Sequence, residues 1–200
     1  MQLSHLDGEG AASALASALN DRSPRVRAAA VAGLAHRGEE GSVSLLAERV
    51  TKDKDAFVRK VAAHSLAKFQ GGARTAALIA ALQDKKAEVR GAAAVALADH
   101  PDSLAVPSLA RALTETDAFV RAHAARALGV NGSAAVQAVP ALIKLLTSDE
   151  DNEAKRQAAT ALGLIGDRSA LEALQRARRD KDPYLAQAAL DAISAIENQK

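Results

Sequence analysis

The chain contains no cysteine and no tryptophan, and only one tyrosine and three phenylalanines among its 200 residues. The lack of cysteine excludes disulfides, thiolate metal sites and cysteine nucleophiles. Few aromatic residues and abundant alanine favour helices, because strands prefer β-branched and aromatic side chains. No segment approaches the ~20 apolar residues that cross a bilayer, and the first ten residues lack a signal-peptide pattern. We therefore expect a helical, cytoplasmic protein without a membrane anchor.

Charge of neither sign dominates the chain. The 26 basic residues nearly balance the 24 acidic ones, so the overall charge gives no field for a polyanion, and a nucleic-acid partner is disfavoured. The length suits one domain or one array of small units that share a core. We predict a single domain over residues 1–200, and we favour a monomer.

A dipeptide recurs at regular intervals, which indicates internal repeats. It stands at Val26-Arg27, Val58-Arg59, Val89-Arg90 and Val120-Arg121, at intervals of 32, 31 and 31 residues. Ala154-Lys155 and Leu185-Ala186 occupy the same slot at further intervals of 34 and 31. A period of this length is typical of helical repeat arrays. The predicted repeats are 8–38, 39–71, 72–101, 102–132, 133–166 and 167–197.

Around each dipeptide, further positions repeat. Alanine lies four residues after it, and eight residues after it lie Leu34, Leu66, Leu97, Leu128, Leu162 and Ile193. Spacings of four and eight share one face of a helix, which we predict to be buried. Three residues before it lie candidate N-caps, namely Ser23, Asp55, Asp117, Asp151 and Asp182, with Lys86 as the exception. Glycines predicted to end these helices are Gly38, Gly132 and Gly166, with Gly71 one residue late.

The pattern in the fourth repeat resembles a known family. Asp117, Val120-Arg121 and the stretch from Ala124 to Gly129 are similar to the short HEAT-like repeats of the phycobilin-lyase type, and the resemblance covers roughly residues 11–197. It implies an all-α fold, a right-handed α-solenoid (α-α superhelix) of six helix-turn-helix repeats that bury their apolar faces against one another. Ala154 and Ala186 depart from the family pattern.

Paired charges accompany each turn. An acidic residue lies five positions before the dipeptide, and the resemblance implies that it and the basic residue tie the turn to the second helix and to neighbouring repeats. We favour this structural role over a track that binds a phosphate backbone or an acidic peptide. The predicted ladder is Asp21, Arg27, Asp53, Arg59, Asp84, Arg90, Glu115, Arg121, Asp149 and Lys155.

The remaining face of each second helix is the candidate binding surface, because the resemblance implies that this face lines a concave surface. Phe57, Phe119 and Tyr184 occupy the same position in three repeats, and aromatic and arginine side chains dominate binding hot spots. The alternative is that Phe57 and Phe119 fold back against the turn. The candidate partner-binding residues are Phe57, Lys60, His64, Lys68, Glu88, Phe119, His123, Arg126, Arg156 and Tyr184.

No catalytic residue, metal site or cofactor is predicted. His64 and His123 lie two repeats apart, and stacked helices ~8–10 Å apart would separate them by roughly 20 Å, too far to share a zinc ion. The chain lacks the His-Glu dipeptides of the related deoxyhypusine hydroxylase and the tryptophans of repeat-fold DNA glycosylases. Phosphate-loop, zinc-protease and hydrolase motifs do not occur either.

Three functions remain open, in descending order of support. The first is a non-catalytic scaffold that binds a protein or peptide. The second is a structural domain from a larger enzyme, such as the C-terminal helical region of some bacterial zinc aminopeptidases, which the apolar Leu3 and Leu6 before the first repeat suggest. The third is a bilin lyase or a nucleic-acid enzyme, and a lyase requires a pocket for a large tetrapyrrole.

Overall fold

The computed structural model describes residues 9–198, so Leu3 and Leu6 lie outside the described residues. All regular secondary structure in this range is helical, which confirms the all-α prediction. Between residues 9 and 198, no helix combines the length and the apolar character required to span a bilayer.

The chain divides into two compact units, with the division between His100 and Pro101. The first unit contains α1 (Glu9–Ala18), α2 (Pro24–Arg37), α3 (Ser42–Lys52), α4 (Ala56–Ser65), a 3-10 turn (Leu66–Lys68), α5 (Gly72–Ala81) and α6 (Ala87–Asp99). The second contains a 3-10 turn (Ser103–Ala105), α7 (Val106–Ala112), α8 (Ala118–Val130), a 3-10 segment (Gly132–Ala138), α9 (Val139–Ser148), α10 (Asn152–Ile165), a 3-10 turn (Arg168–Ala170), α11 (Leu171–Ala177) and α12 (Pro183–Asn198). Each unit holds three helix pairs, and the single-domain boundary 1–200 stays a prediction.

The core of each unit is formed along the predicted helix faces. The alanines four residues after each dipeptide are all 0% exposed, and the leucines and the isoleucine eight residues after it are 0% to 6% exposed. Within the first unit α4 packs between α2 and α6, and within the second α10 packs between α8 and α12. The second helices therefore stack on one another, as the repeat pattern requires.

Close helix packing in the second unit depends on two glycines. A Cβ atom added to Gly129 on α8 would lie 2.8 Å from Cα of Ala161 on α10. A Cβ added to Gly163 on α10 would lie 2.7 Å from Cα of Ala192 on α12. Because no larger residue fits at these separations, the glycines set how closely the three second helices approach.

Aspartates in the turns fix where the second helices begin. Asp53, Asp84 and Asp149 each accept a hydrogen bond from the backbone N–H two residues later, at 2.8 to 2.9 Å. The Asp55 side chain then caps α4 by accepting from the N–H of Phe57 at 2.9 Å. Ser23 occupies the same N-cap position, but its side chain makes no capping bond, so that detail of the prediction was wrong.

The helix ends follow the glycine prediction at two repeats and depart from it at two others. Gly38 and Gly166 adopt the left-handed conformation, with φ of 67° and 81°, immediately after α2 and α10. By contrast, α8 ends at Val130 with Asn131 as its C-cap, and Gly132 follows with φ of 55°.

Gly71 does not end α4, because that helix ends at Ser65 and Gly71 instead precedes α5 with φ of 97°. The second helix of this repeat is shorter than predicted, and Lys68 lies in the 3-10 turn that follows it.

Candidate partner-binding surface

Arginines on the second helices connect successive repeats through the turns. Arg27 donates from Nε and Nη2 to both carboxylate oxygens of Asp53, at 2.8 Å each, and from Nη1 to the carbonyl oxygen of Asp21 at 3.0 Å. Arg59 makes the equivalent contacts with Asp84, at 2.6 and 2.9 Å. The carboxylate partner thus belongs to the following repeat, while the arginine's own turn supplies a backbone carbonyl.

The second unit repeats this arrangement once and then changes it. Arg121 donates to both oxygens of Asp149, at 2.6 and 2.7 Å, and to the carbonyl oxygen of Glu115 at 2.8 Å. Lys155, placed in the ladder by sequence, makes no ion pair with residues 9–198. Arg156 instead donates to Asp182 of the last repeat at 2.9 Å. This contact is a single hydrogen bond from Nη1, and the Nε and Nη2 atoms of Arg156 donate to Glu153 of the same helix, at 3.1 and 2.6 Å.

Electrostatic shifts follow from these pairs. The hydrogen bonds from Arg121 hold the pKa of the Asp149 carboxyl below its usual range, against the opposing effect of burial. The same contact raises the pKa of Arg121 above its ordinary value. The side chains of Arg121 and Asp149 are only 15% and 5% exposed. These charges are held for packing between repeats and are not displayed to a partner.

A buried arginine in the first unit binds backbone carbonyls near the ends of two helices. The sequence patterns did not identify it. Arg74 on α5 is 1% exposed. It donates from Nε to the carbonyl oxygen of Leu66 at 3.1 Å, from Nη1 to that of His100 at 3.1 Å, and from Nη2 to that of Ala96. Helices α4 and α6 are not followed directly by a glycine C-cap, and the guanidinium supplies donors to carbonyls near both ends. The Leu66 carbonyl also accepts from the backbone N–H of Phe69 at 3.1 Å.

The aromatic slot, defined as Phe57, Phe119 and Tyr184, lies on the surface of the second helices. The three residues are 48%, 56% and 73% exposed. About half of the surface of Phe57 and of Phe119 is therefore uncovered. An exposed aromatic ring of this size costs hydration free energy unless another surface covers it.

Each ring of the aromatic slot has a nitrogen-bearing side chain beside it. The Lys60 ammonium lies 5.5 Å from the centre of the Phe57 ring, within cation–π range. The Arg156 guanidinium carbon lies 5.8 Å from the centre of the Tyr184 ring. The ring of Phe119 contacts that of His123, with 4.1 Å between centres.

A groove in the first unit lies between α2 and α4. This first groove has a volume of ≈ 690 Å³. Alanines form its floor and Phe57 one wall, and its lining residues are Pro24, Arg25, Ala28, Ala29, Ala32, Asp55, Phe57 and Val61. Most of them belong to the face that remained after the core positions were assigned. The concavity exists because α2 presents small side chains where α4 presents a large one.

A smaller groove in the second unit lies between α10 and α12. This second groove has a volume of ≈ 360 Å³. Tyr184 and the exposed Leu164 face it, together with the polar Thr160, Gln187 and Asp191. The Oδ1 atom of Asp191 accepts a hydrogen bond from Gln187 Nε2 at 2.8 Å, so that carboxylate is already partly satisfied.

The other candidate residues have distinct environments. His64, Lys68, Glu88 and Arg126 are exposed. Burial and the nearby Arg126 lower the pKa of His123, whose buried Nδ1 atom has no hydrogen-bond partner. Among residues 9–198, no three His, Asp or Glu side chains are grouped closely enough to hold a metal ion.

Stacked helix pairs, joined by turn aspartates and second-helix arginines, define a helical repeat protein, and the comparisons give the family. The model for HEAT repeats matches residues 1–73, 75–150 and 139–200. The chain therefore belongs to the HEAT repeat family. A comparison with curated proteins gives no significant match.

Solved structures share this fold. The crystal structure of an engineered protein is 27% identical, with a TM-score of 0.73, and the match covers 93% of this chain and 96% of that chain. A designed armadillo repeat protein in complex with the peptide (KR)4 is 19% identical, with a TM-score of 0.72 and coverage of 92% and 98%. The complex of CpcE and CpcF of phycocyanin lyase from Nostoc sp. PCC7120 is 22% identical, with a TM-score of 0.69 and coverage of 92% and 76%.

Proposed function

We propose that the chain is a non-catalytic scaffold that binds a protein or peptide on the exposed face of its second helices. The observation that carries the proposal is the aromatic slot, in which three rings at one repeat position are between 48% and 73% exposed. These are three of the four aromatic residues in the chain. The fourth, Phe69, is 3% exposed and belongs to the core.

The grooves support this proposal by their construction. The aromatic residues Phe57 and Tyr184 each form part of the lining of an open groove between two second helices. A side chain of the partner can contact the aromatic ring and occupy the space that the small residues of the groove leave open. Burial of apolar area contributes about 25 cal/mol per Å², which offsets part of the free-energy cost of ordering a bound segment.

Two of the structural neighbours bind polypeptides. The designed armadillo repeat protein holds the peptide (KR)4, and CpcE and CpcF form a complex with each other. By analogy of fold, we include an extended peptide or a partner protein among the expected occupants. The proposal also has the chain acting as a monomer in the cytoplasm.

The test measures affinity for peptides selected on the intact chain from a displayed random library. We expect Phe57→Ala combined with Phe119→Ala to weaken binding by about 2 kcal/mol or more, roughly thirtyfold in Kd. Helicity by circular dichroism should be unchanged, because both rings are exposed. An unaltered affinity in this double variant contradicts the proposal.

A matched control separates a specific surface from general stickiness. Leu104 and Val136 are 69% and 48% exposed, and they lie in 3-10 segments outside the second helices. The variant with Leu104→Ala and Val136→Ala removes a similar amount of exposed apolar area. It should bind the selected peptides as tightly as the unmodified chain.

A further inference from the structure

We infer that the first groove takes an acidic peptide segment with an apolar side chain at its centre. This inference rests on the proposed function and adds to it the chemistry of the partner. The groove floor consists of Ala28, Ala29 and Ala32, with Val61 and the Phe57 ring at its other side. These five apolar side chains can contact an aliphatic side chain of the peptide, and they have no hydrogen-bonding group for a polar side chain.

Two basic side chains without a counter-charge lie beside this floor. Arg25 lines the groove, and the Lys60 ammonium lies 5.5 Å from the centre of the Phe57 ring. Within residues 9–198, no carboxylate lies at ion-pair distance from either of these two. Charges that the fold leaves uncompensated favour a partner of opposite sign.

One acidic group lines the groove, and it is already engaged. The Oδ1 atom of Asp55 caps α4 by accepting from the Phe57 backbone N–H at 2.9 Å. Glu88 and Asp99 are exposed on the next second helix, α6, and neither lines the groove. Apart from Asp55, no acidic residue lies among the groove-lining residues of α2 and α4. The excess of positive charge is therefore local to the first groove.

The Lys60 side chain has a further consequence for recognition. Its ammonium is held 5.5 Å from the centre of the Phe57 ring, which orders a long side chain before a partner arrives. A carboxylate of the bound segment can then pair with this ammonium while a neighbouring aliphatic side chain packs on the ring. Arg25 on α2 provides a second site for a carboxylate across the alanine floor.

The experiment compares three fluorescent peptides of about twelve residues. Each has two central leucines, flanked by aspartate and glutamate in one, by lysine in the second and by serine and glutamine in the third. We expect the acidic peptide to bind the intact chain at least roughly tenfold more tightly than the lysine peptide, and we expect this preference to shrink as salt rises from ~50 to ~500 mM.

Matched charge reversals locate the interaction. Arg25→Glu with Lys60→Glu should weaken binding of the acidic peptide roughly tenfold or more. Lys86→Glu with Lys144→Glu makes the same change in net charge at exposed positions outside the groove, and it should leave the affinity unchanged. Thermal melts of both variants establish that each remains folded.

The outcomes distinguish the inference from the proposed function. If the lysine or the neutral peptide binds as well as the acidic one, and binding is lost in the Phe57→Ala, Phe119→Ala variant, the acidic preference is wrong and the scaffold proposal stands. If the control reversal weakens binding as much as the groove reversal, the assignment to the first groove is wrong. If none of the three peptides binds, the inference is wrong, and the scaffold proposal is decided separately by the peptides selected from the library.

Discussion

Arg27 on α2 donates hydrogen bonds to both carboxylate oxygens of Asp53, 26 residues later in the turn before α4. Asp53 also accepts from the backbone N–H of Asp55, which directly precedes α4. The Asp53 carboxylate therefore stabilises its own turn and also binds the arginine of the preceding second helix. This double use explains why an acidic residue and an arginine recur together in the repeat.

Breaking this pair should destabilise the first unit. The side chains of Arg27 and Asp53 are 5% and 2% exposed, so Arg27→Met leaves a buried carboxylate without its partner. We expect a loss of about 3–5 kcal/mol in the free energy of unfolding by urea. Adding Asp53→Asn to this variant should recover part of the loss, because no uncompensated charge then remains and the amide oxygen can still accept from the Asp55 backbone N–H.

The more exposed pair of Arg37 and Glu39 provides the comparison. Its side chains are 20% and 48% exposed. Arg37→Met should cost about 0–1 kcal/mol. Equal losses for Arg27→Met and Arg37→Met would show that the connections between repeats contribute no more than surface ion pairs.

The stability of the chain should depend on pH through Asp149. Its pKa is lower in the folded chain than in the unfolded one, chiefly because Arg121 donates to it. The stabilisation is then fully present above the unfolded pKa of about 4 and is lost as pH falls through the folded pKa. We expect Asp149→Asn to be less stable near pH 7 and to lose less stability than the unmodified chain between pH ~5 and ~2. Urea midpoints that change in parallel for the two proteins would contradict this.

Leu97 tests the register of the core. It lies on α6 and is 1% exposed, so Leu97→Ala should cost about 2–5 kcal/mol through the cavity that it leaves. Leu104→Ala removes the same atoms from a residue that is 69% exposed, and it should change the unfolding free energy by less than about 0.5 kcal/mol. A thermal melt unaltered by Leu97→Ala would show that the register is wrong.

Gly163 tests the close approach of α10 and α12. Alanine is the better helix former by roughly 1 kcal/mol, yet Gly163→Ala should lower the unfolding free energy, because its Cβ would meet Cα of Ala192 at 2.7 Å. Gly10→Ala on α1 meets nothing within 4 Å and should be neutral or slightly stabilising. If both substitutions stabilise, the two helices move apart more readily than their packing indicates.

The core was predictable because its determinants repeat. Leu66 and Leu128 hold equivalent positions in different repeats, and both are 0% exposed. A single sequence with six copies of one pattern provides its own comparison between positions. The same reasoning identified the face on which Phe57 and Tyr184 are exposed.

The features that were missed occur once each and leave no repeated signal. Arg74 is buried where a first helix meets the ends of two second helices, and no other first-helix arginine within residues 9–198 is buried. In the fifth repeat the contact to the next repeat comes from Arg156, one residue after the ladder position Lys155, through a single hydrogen bond to Asp182. The glycine pattern placed Gly71 at a helix end, although α4 ends earlier in a 3-10 turn.

The most direct test of the scaffold proposal is a nuclear magnetic resonance titration of the intact chain with a peptide selected on it. The scaffold proposal predicts chemical-shift changes at the amides of Phe57, Val61 and Tyr184, on the second helices that line the grooves. The amide shifts of Leu104 and Val136 should not change. Changes confined to Leu104, Val136 or the first helices would contradict it.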